Sequence, residues 1–364
     1  MSTANMTIPC MHLRLSDNQN IQGVLYGYIV PFLSFLGSFG SFLSFATATD
    51  QNLKASTYIH IAFLTFFNGI ALLAQSLFMV CLVHFHSETW AVFTTAYFLW
   101  PIYDGSTTLS LTLMMANTVH RYFYVLNVSS NGAKFILSET KPQTVWKVCV
   151  FCVIIIAIDA PRMMLMKVRD DIPTCLWFRW SSHSDYWYWL YTLIRFFVLN
   201  IGCIIILAIF NCLLIGTTKH QWNSYKRKLE QRQLTVALII AASIYLIGEM
   251  YSVLFNPVTE TLIWQPLGIF SLNFLKSGGR FTFVLLLLEY CSNWIILLAL
   301  SRPFQKVLFD KFFDCVPCNF KRADTEPAAA AAIAESLERC QNRDVTNDDK
   351  DASSIFQCET FNPN

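Results

Sequence analysis

Five ionisable residues, Asp104, Asp159, Arg195, Glu249 and Glu289, lie within long apolar stretches of this 364-residue chain. A charged group in such surroundings is costly unless it has a partner or a task, so each is a candidate functional residue. Asp104 is an acid that can receive a guanidinium or ammonium bidentately, or pair internally with Arg195. Glu289 and Asn293 stand one helical turn apart and share a face, and Glu249 is placed to meet them across a bundle. Such a carboxyl either stays protonated or holds a cation such as sodium. Enzyme chemistry finds little support: His84-Phe85-His86 is the one close His pair, no HExxH occurs, and the spacing of a zinc site is absent. No metal or other cofactor is expected.

The elements that position these residues must be membrane helices. Hydrophobic residues make up 54% of the chain and charged residues 14%, with 31 Phe and a mean hydropathy of +0.43. A soluble globule is charged at roughly 25%. A net charge of +2 leaves no reason to expect nucleic acid as a partner. Apolar runs near 18–49, 55–87, 91–123, 145–165, 187–216, 233–256 and 280–300 predict an all-α membrane protein, a seven-transmembrane helix bundle over 24–300. The stretch Thr261 to Leu275 carries Pro266 and Gly268 and is too short to cross, so it reads as an outer loop with a helical dip. Transporters are built on internal repeats, and none is visible.

Lys and Arg near the span ends favour an outside N-terminus by roughly two to one. On that orientation 1–23 is extracellular, without the apolar core of a cleavable signal, and the first span directs its own insertion. Asn5 of Asn5-Met6-Thr7 is then a glycosylation acceptor, whereas Asn127-Val128-Ser129 faces the cytoplasm. Within 301–318, Phe304, Leu308 and Phe312 fall at i, i+4, i+8, which predicts an amphipathic eighth helix on the inner leaflet, in contact with membrane lipids. Cys315 and Cys318 follow as palmitoylation candidates. The polar segment 319–364 reads as a disordered cytoplasmic tail with Ser336, Thr346, Ser353, Ser354 and Thr360 open to kinases and arrestin. Cys81, Cys149, Cys152, Cys203, Cys212 and Cys291 lie in apolar runs and read as small buried hydrophobes.

His120-Arg121-Tyr122 resembles the Asp-Arg-Tyr box that ends the third span of rhodopsin-like G-protein-coupled receptors, with His in place of the acid. Further segments resemble invertebrate, nematode-type FMRFamide neuropeptide receptors. They are Trp100-Pro101 with Thr107, Leu111 and Thr112; Asp159-Ala160-Pro161-Arg162-Met163; Tyr188-Trp189-Leu190-Tyr191 leading to Ile209-Phe210-Asn211; Phe255-Asn256-Pro257 to Glu260; and Cys291-Ser292-Asn293-Trp294. The resemblance implies a plasma-membrane receptor that signals through a heterotrimeric G protein engaged by His120, Arg121 and Tyr122. The ligand it implies is an extracellular amidated peptide held by Asp104, Tyr103, Arg195, Trp177 and Trp180.

Against that family the chain has no second-span acid, its place taken by Thr65 or Phe66. Glu289, with Glu249 and Asn293, can supply the missing core carboxylate. The Cys expected at the outer end of the third span is also missing, with Ala96 near its place. Cys175 is left either to pair with Cys10 or Cys81, the helical setting of Cys81 favouring Cys10, or to remain a free thiol. A chemosensory receptor for small molecules is the alternative, since such receptors lose the same residues.

Overall fold

A computed structural model describes residues 24–50, 53, 57–85, 88–129, 141–161, 166–168, 176–178, 186–220, 229–255 and 272–312. Asn5, Cys10, Cys175, Trp180, Cys315 and Cys318 lie outside these residues, as does most of Thr261 to Leu275. Two compact units are distinguished, Met1–Phe312 and Phe313–Asn364, and the described residues all belong to the first.

That unit is a helix bundle. Helix α1 spans Leu25–Ala48, α2 Thr57–His84, α3 Trp100–Ser129 and α4 Lys141–Asp159. Helix α5 is a three-part rod of Tyr186–Arg195, Phe196–Gly202 and Cys203–His220. Then come α6 over Leu229–Leu254, α7 over Leu272–Leu300 and α8 over Arg302–Phe312. Among the described residues the exception to helix is an antiparallel pair after α4, β1 Met166–Val168 with β2 Leu176–Phe178, in register Lys167 with Trp177.

Among the described residues five helices are long and apolar enough to cross a membrane, namely α1, α2, α4, α5 and α6. A sixth is counted if the end of α7 and α8, bent by 97° to each other, form one span. This is a membrane protein. The Ser/Thr-rich α3 does not pass the same test; Ser106, Thr108, Ser110, Thr112, Asn117 and Thr118 are buried along it. Its hydroxyls bond carbonyls of their own helix, as Ser110 and Thr118 do one turn back, so the polar content lowers the hydropathy without exposing polar groups to lipid.

Small residues set the spacing of α1. Ser34, Ser38, Gly40, Ser41 and Ser44 are buried, and Ser38 Oγ donates to Gly69 O at 2.8 Å. A Cβ on Gly40 would fall 2.7 Å from the Trp294 ring, so the glycine makes room on α1 for the indole of α7. Phe32, Phe35 and Phe39 cover the opposite, exposed face. The main core joins Leu72, Phe78, Leu113, Met114, Leu207 and Tyr245, and a second cluster at the other end joins Leu53, Tyr58, Ile61, Leu297 and Phe304.

Helix α7 extends the apolar run near 280–300 back to Leu272, because Lys276 and Arg280 interrupt hydropathy but not helix formation. The setting of α8 differs from expectation. Helix α8 buries Phe304 and Leu308 in the bundle and leaves Phe312 exposed. The stripe thus serves tertiary packing over most of its length instead of facing the leaflet.

Candidate functional site

Three π-helical segments occur among the described residues, Leu25–Ile29, Thr95–Leu99 and Phe196–Gly202. All lie at the end of the bundle opposite Arg121. A π segment inserts a residue into the helical turn and re-aims side chains around it, which is why such segments collect at functional sites. The third follows directly on Arg195.

Arg195 is buried and lies between two acids. Its Nε donates to Asp159 Oδ1, Nη2 donates to Thr108 Oγ1 at 2.6 Å, and Nη2 stands 3.6 Å from Asp104 Oδ2. The internal pairing of Asp104 with Arg195 is therefore present, but Asp159 at the end of α4 makes the closer contact. One guanidinium faces two carboxylates, so as ionised groups the three leave one negative charge over. Tyr103 is also buried, with its ring 6.0 Å from that of Trp100, which in turn meets Phe78 at 5.6 Å.

Deeper along the bundle, Tyr245 of α6 joins α2 and α7. Its OH donates to Asn68 Oδ1 at 2.8 Å and receives a hydrogen bond from Asn293 Nδ2 at 3.2 Å. Glu289 and Asn293 are both buried on α7, as their spacing predicts. Thr65 takes the place of the missing second-span acid in one register; it is buried and donates to carbonyls of its own helix. Asn68, three residues on, is the α2 side chain that enters this network.

At the far end, His120, Arg121 and Tyr122 face three different neighbours, as consecutive helical residues must. His120 stacks on His60 of α2 at 4.9 Å, and Tyr122 meets Phe210 of α5 at 5.4 Å. Arg121 is 0% exposed. Its Nε and Nη2 donate to Thr235 Oγ1 of α6 at 2.9 and 2.7 Å, and its guanidinium lies 4.7 Å over the Tyr124 ring.

Trp177 lies on β2, and Trp180 falls outside the described residues. Cys81, Cys149, Cys152, Cys203, Cys212 and Cys291 are free thiols. Among the described residues no group of three His, Cys, Asp or Glu could hold a metal ion. Sequence reasoning did not single out Thr108, Thr235, Asn68 or Tyr245. Of these only Tyr245 carried a signal, standing one turn before Glu249 on the same helical face. No protein-family model matches this chain, and no curated protein matches it.

Proposed function

We propose that the chain is a seven-span plasma-membrane receptor of the G-protein-coupled type, with its N-terminus outside, that takes a cationic extracellular ligand and signals to a heterotrimeric G protein. Counting α3 as a span beside the five apolar helices and the bent α7–α8 pair gives seven. The observation that carries the reading is Arg121, a fully buried arginine bound to the hydroxyl of a neighbouring helix. A threonine hydroxyl compensates a guanidinium less well than a carboxylate does. The contact joins α3 to α6, and parting the two helices would break it and turn the guanidinium toward a cytoplasmic partner.

The surplus carboxylate beside Arg195 suits a ligand guanidinium, and an amidated peptide of FMRFamide type supplies one. A small-molecule ligand is favoured by a different observation, the depth of Tyr103, which at 5% exposure leaves little surface for a long peptide. A cell-based signalling screen with amidated peptides and volatiles in parallel separates the two. With an active ligand found, Arg121→Ala is expected to abolish the response while leaving surface expression and binding nearly intact. An undiminished response rejects the coupling role, and a tail epitope reached on intact cells rejects the orientation.

A further inference from the structure

Glu289 is 1% exposed, and neither carboxyl oxygen has a hydrogen-bond partner. Helix α6 meets it at Gly248, where a Cβ would fall 2.0 Å from Oε2. The carboxyl therefore fills the seam between α6 and α7. Tyr245, one turn from Glu249 on α6, spends its hydroxyl on Asn68 and Asn293.

Among the described residues the ionisable groups around this seam offer no compensation. From α6 the charge that bears on Glu289 is that of Glu249, and Glu249 in turn meets that of Asp104 on α3. Tyr245 of α6, Tyr290 of α7 and Tyr103 of α3 are the phenols of the same region. Helix α2 contributes Asn68 and Gln75, both buried and neutral, and α1 has no Asp, Glu, Lys or Arg. Of the buried arginines, Arg195 serves Asp104 and Asp159, and Arg121 serves Thr235. An ionised carboxylate with neither cation nor donor is among the most expensive groups to bury, whereas the neutral acid packs as an ordinary polar side chain.

We propose that Glu289 is a proton-binding latch: protonated, it seals α6 against α7 at Gly248, and on losing its proton to external water it hydrates and parts the two helices. Because Thr235 lies on the same α6, the parting would also release Arg121. That last step rests on the receptor reading, whereas the proton site does not.

The test uses the full chain, purified in lipid nanodiscs and labelled with carbon-13 glutamate, with infrared difference spectra recorded across a pH titration. A carboxylic-acid C=O band sensitive to the label should be present in the sealed state and vanish in Glu289→Gln. Distance labels on Ile247 and Leu288, both exposed to lipid, should move apart as the pH rises in the native chain. They should stay together in Glu289→Gln. If that variant does not fold, Glu289→Asp keeps the acid but withdraws it by one methylene, and with carbon-13 aspartate in place of glutamate the band should reappear, now sensitive to the aspartate label. Three results overturn the proposal: no band dependent on residue 289, a seam that opens with pH equally in Glu289→Gln, or a seam that follows sodium concentration and not pH. No signalling readout enters, so a silent ligand screen leaves the outcome unaffected.

Discussion

Arg121 and Thr235 are 114 positions apart in the chain, yet two guanidinium nitrogens of the first share the single hydroxyl of the second. A hydrogen bond to a charged group contributes about 1.5–3 kcal/mol, a factor of roughly 10 to 150 in an equilibrium. Thr235→Val keeps the shape and removes the acceptor. If the Arg121–Thr235 contact holds α3 to α6, this variant should raise ligand-independent signalling, while Thr235→Ser should stay near the native level. The assay is basal second-messenger output normalised to surface expression, and equal output from Thr235→Val and native protein would show that other contacts hold the helices closed.

Arg195 treats its two acids unequally, and the consequence is a division between stability and binding. Asp159 accepts directly from Nε, whereas Asp104 stands at 3.6 Å. Breaking a buried pair from one side costs about 3–5 kcal/mol, so Asp159→Asn should lower the thermal midpoint in nanodiscs markedly, and Asp104→Asn much less. Asp104→Asn should instead cut the potency of an arginine-bearing peptide by roughly thirty-fold or more, the equivalent of about 2–5 kcal/mol. If the receptor reading holds, replacing the peptide arginine by citrulline should cost nearly as much in the native chain and little further in the mutant. Losses that simply add would mean that Asp104 serves Arg195 alone.

The helices were legible in the sequence because lipid-facing and core-facing residues are both apolar, so a span announces itself by composition. The helix partners were not. Asp104, Arg195, Glu249, Glu289 and Arg121 stand out as charges in apolar runs, but Thr108 and Thr235 are ordinary residues whose importance comes only from what faces them. The same holds for Asp159: it was visible as an acid, while its precedence over Asp104 depends on how α4 and α5 cross. Two of the three π segments, Leu25–Ile29 and Thr95–Leu99, end two residues before a proline, Pro31 and Pro101, which lacks the N–H and crowds the preceding turn; Phe196–Gly202 has no such mark. In α8 the i, i+4 stripe was read correctly as a helix face, but periodicity cannot say whether such a face meets lipid or protein.

That ambiguity makes α8 the simplest place to test the packing. Phe304 is 1% exposed and sits in the cluster with Tyr58, Ile61 and Leu297, whereas Phe312 on the same stripe is 42% exposed. Lys311 Nζ lies 3.0 Å from Ala46 O and 3.6 Å from Asp50 Oδ2, and Tyr58 OH is 3.2 Å from Ser301 Oγ. These contacts hold α8 against the ends of α1 and α2. Emptying the Phe304 site should leave a cavity costing about 3–5 kcal/mol, and Phe304→Ala should lower the thermal midpoint of the purified protein clearly. Phe312→Ala should change it little, because an exposed side chain leaves no cavity and substitutions at such positions usually stay within about 0.5 kcal/mol. Lys311→Gln should fall close to Phe312→Ala, since the ion pair to Asp50 is partly exposed and pairs of that kind are worth at most about 1 kcal/mol. Equal losses at Phe304 and Phe312 would mean that the whole stripe lies on lipid and that α8 is held by the bilayer, not by the bundle.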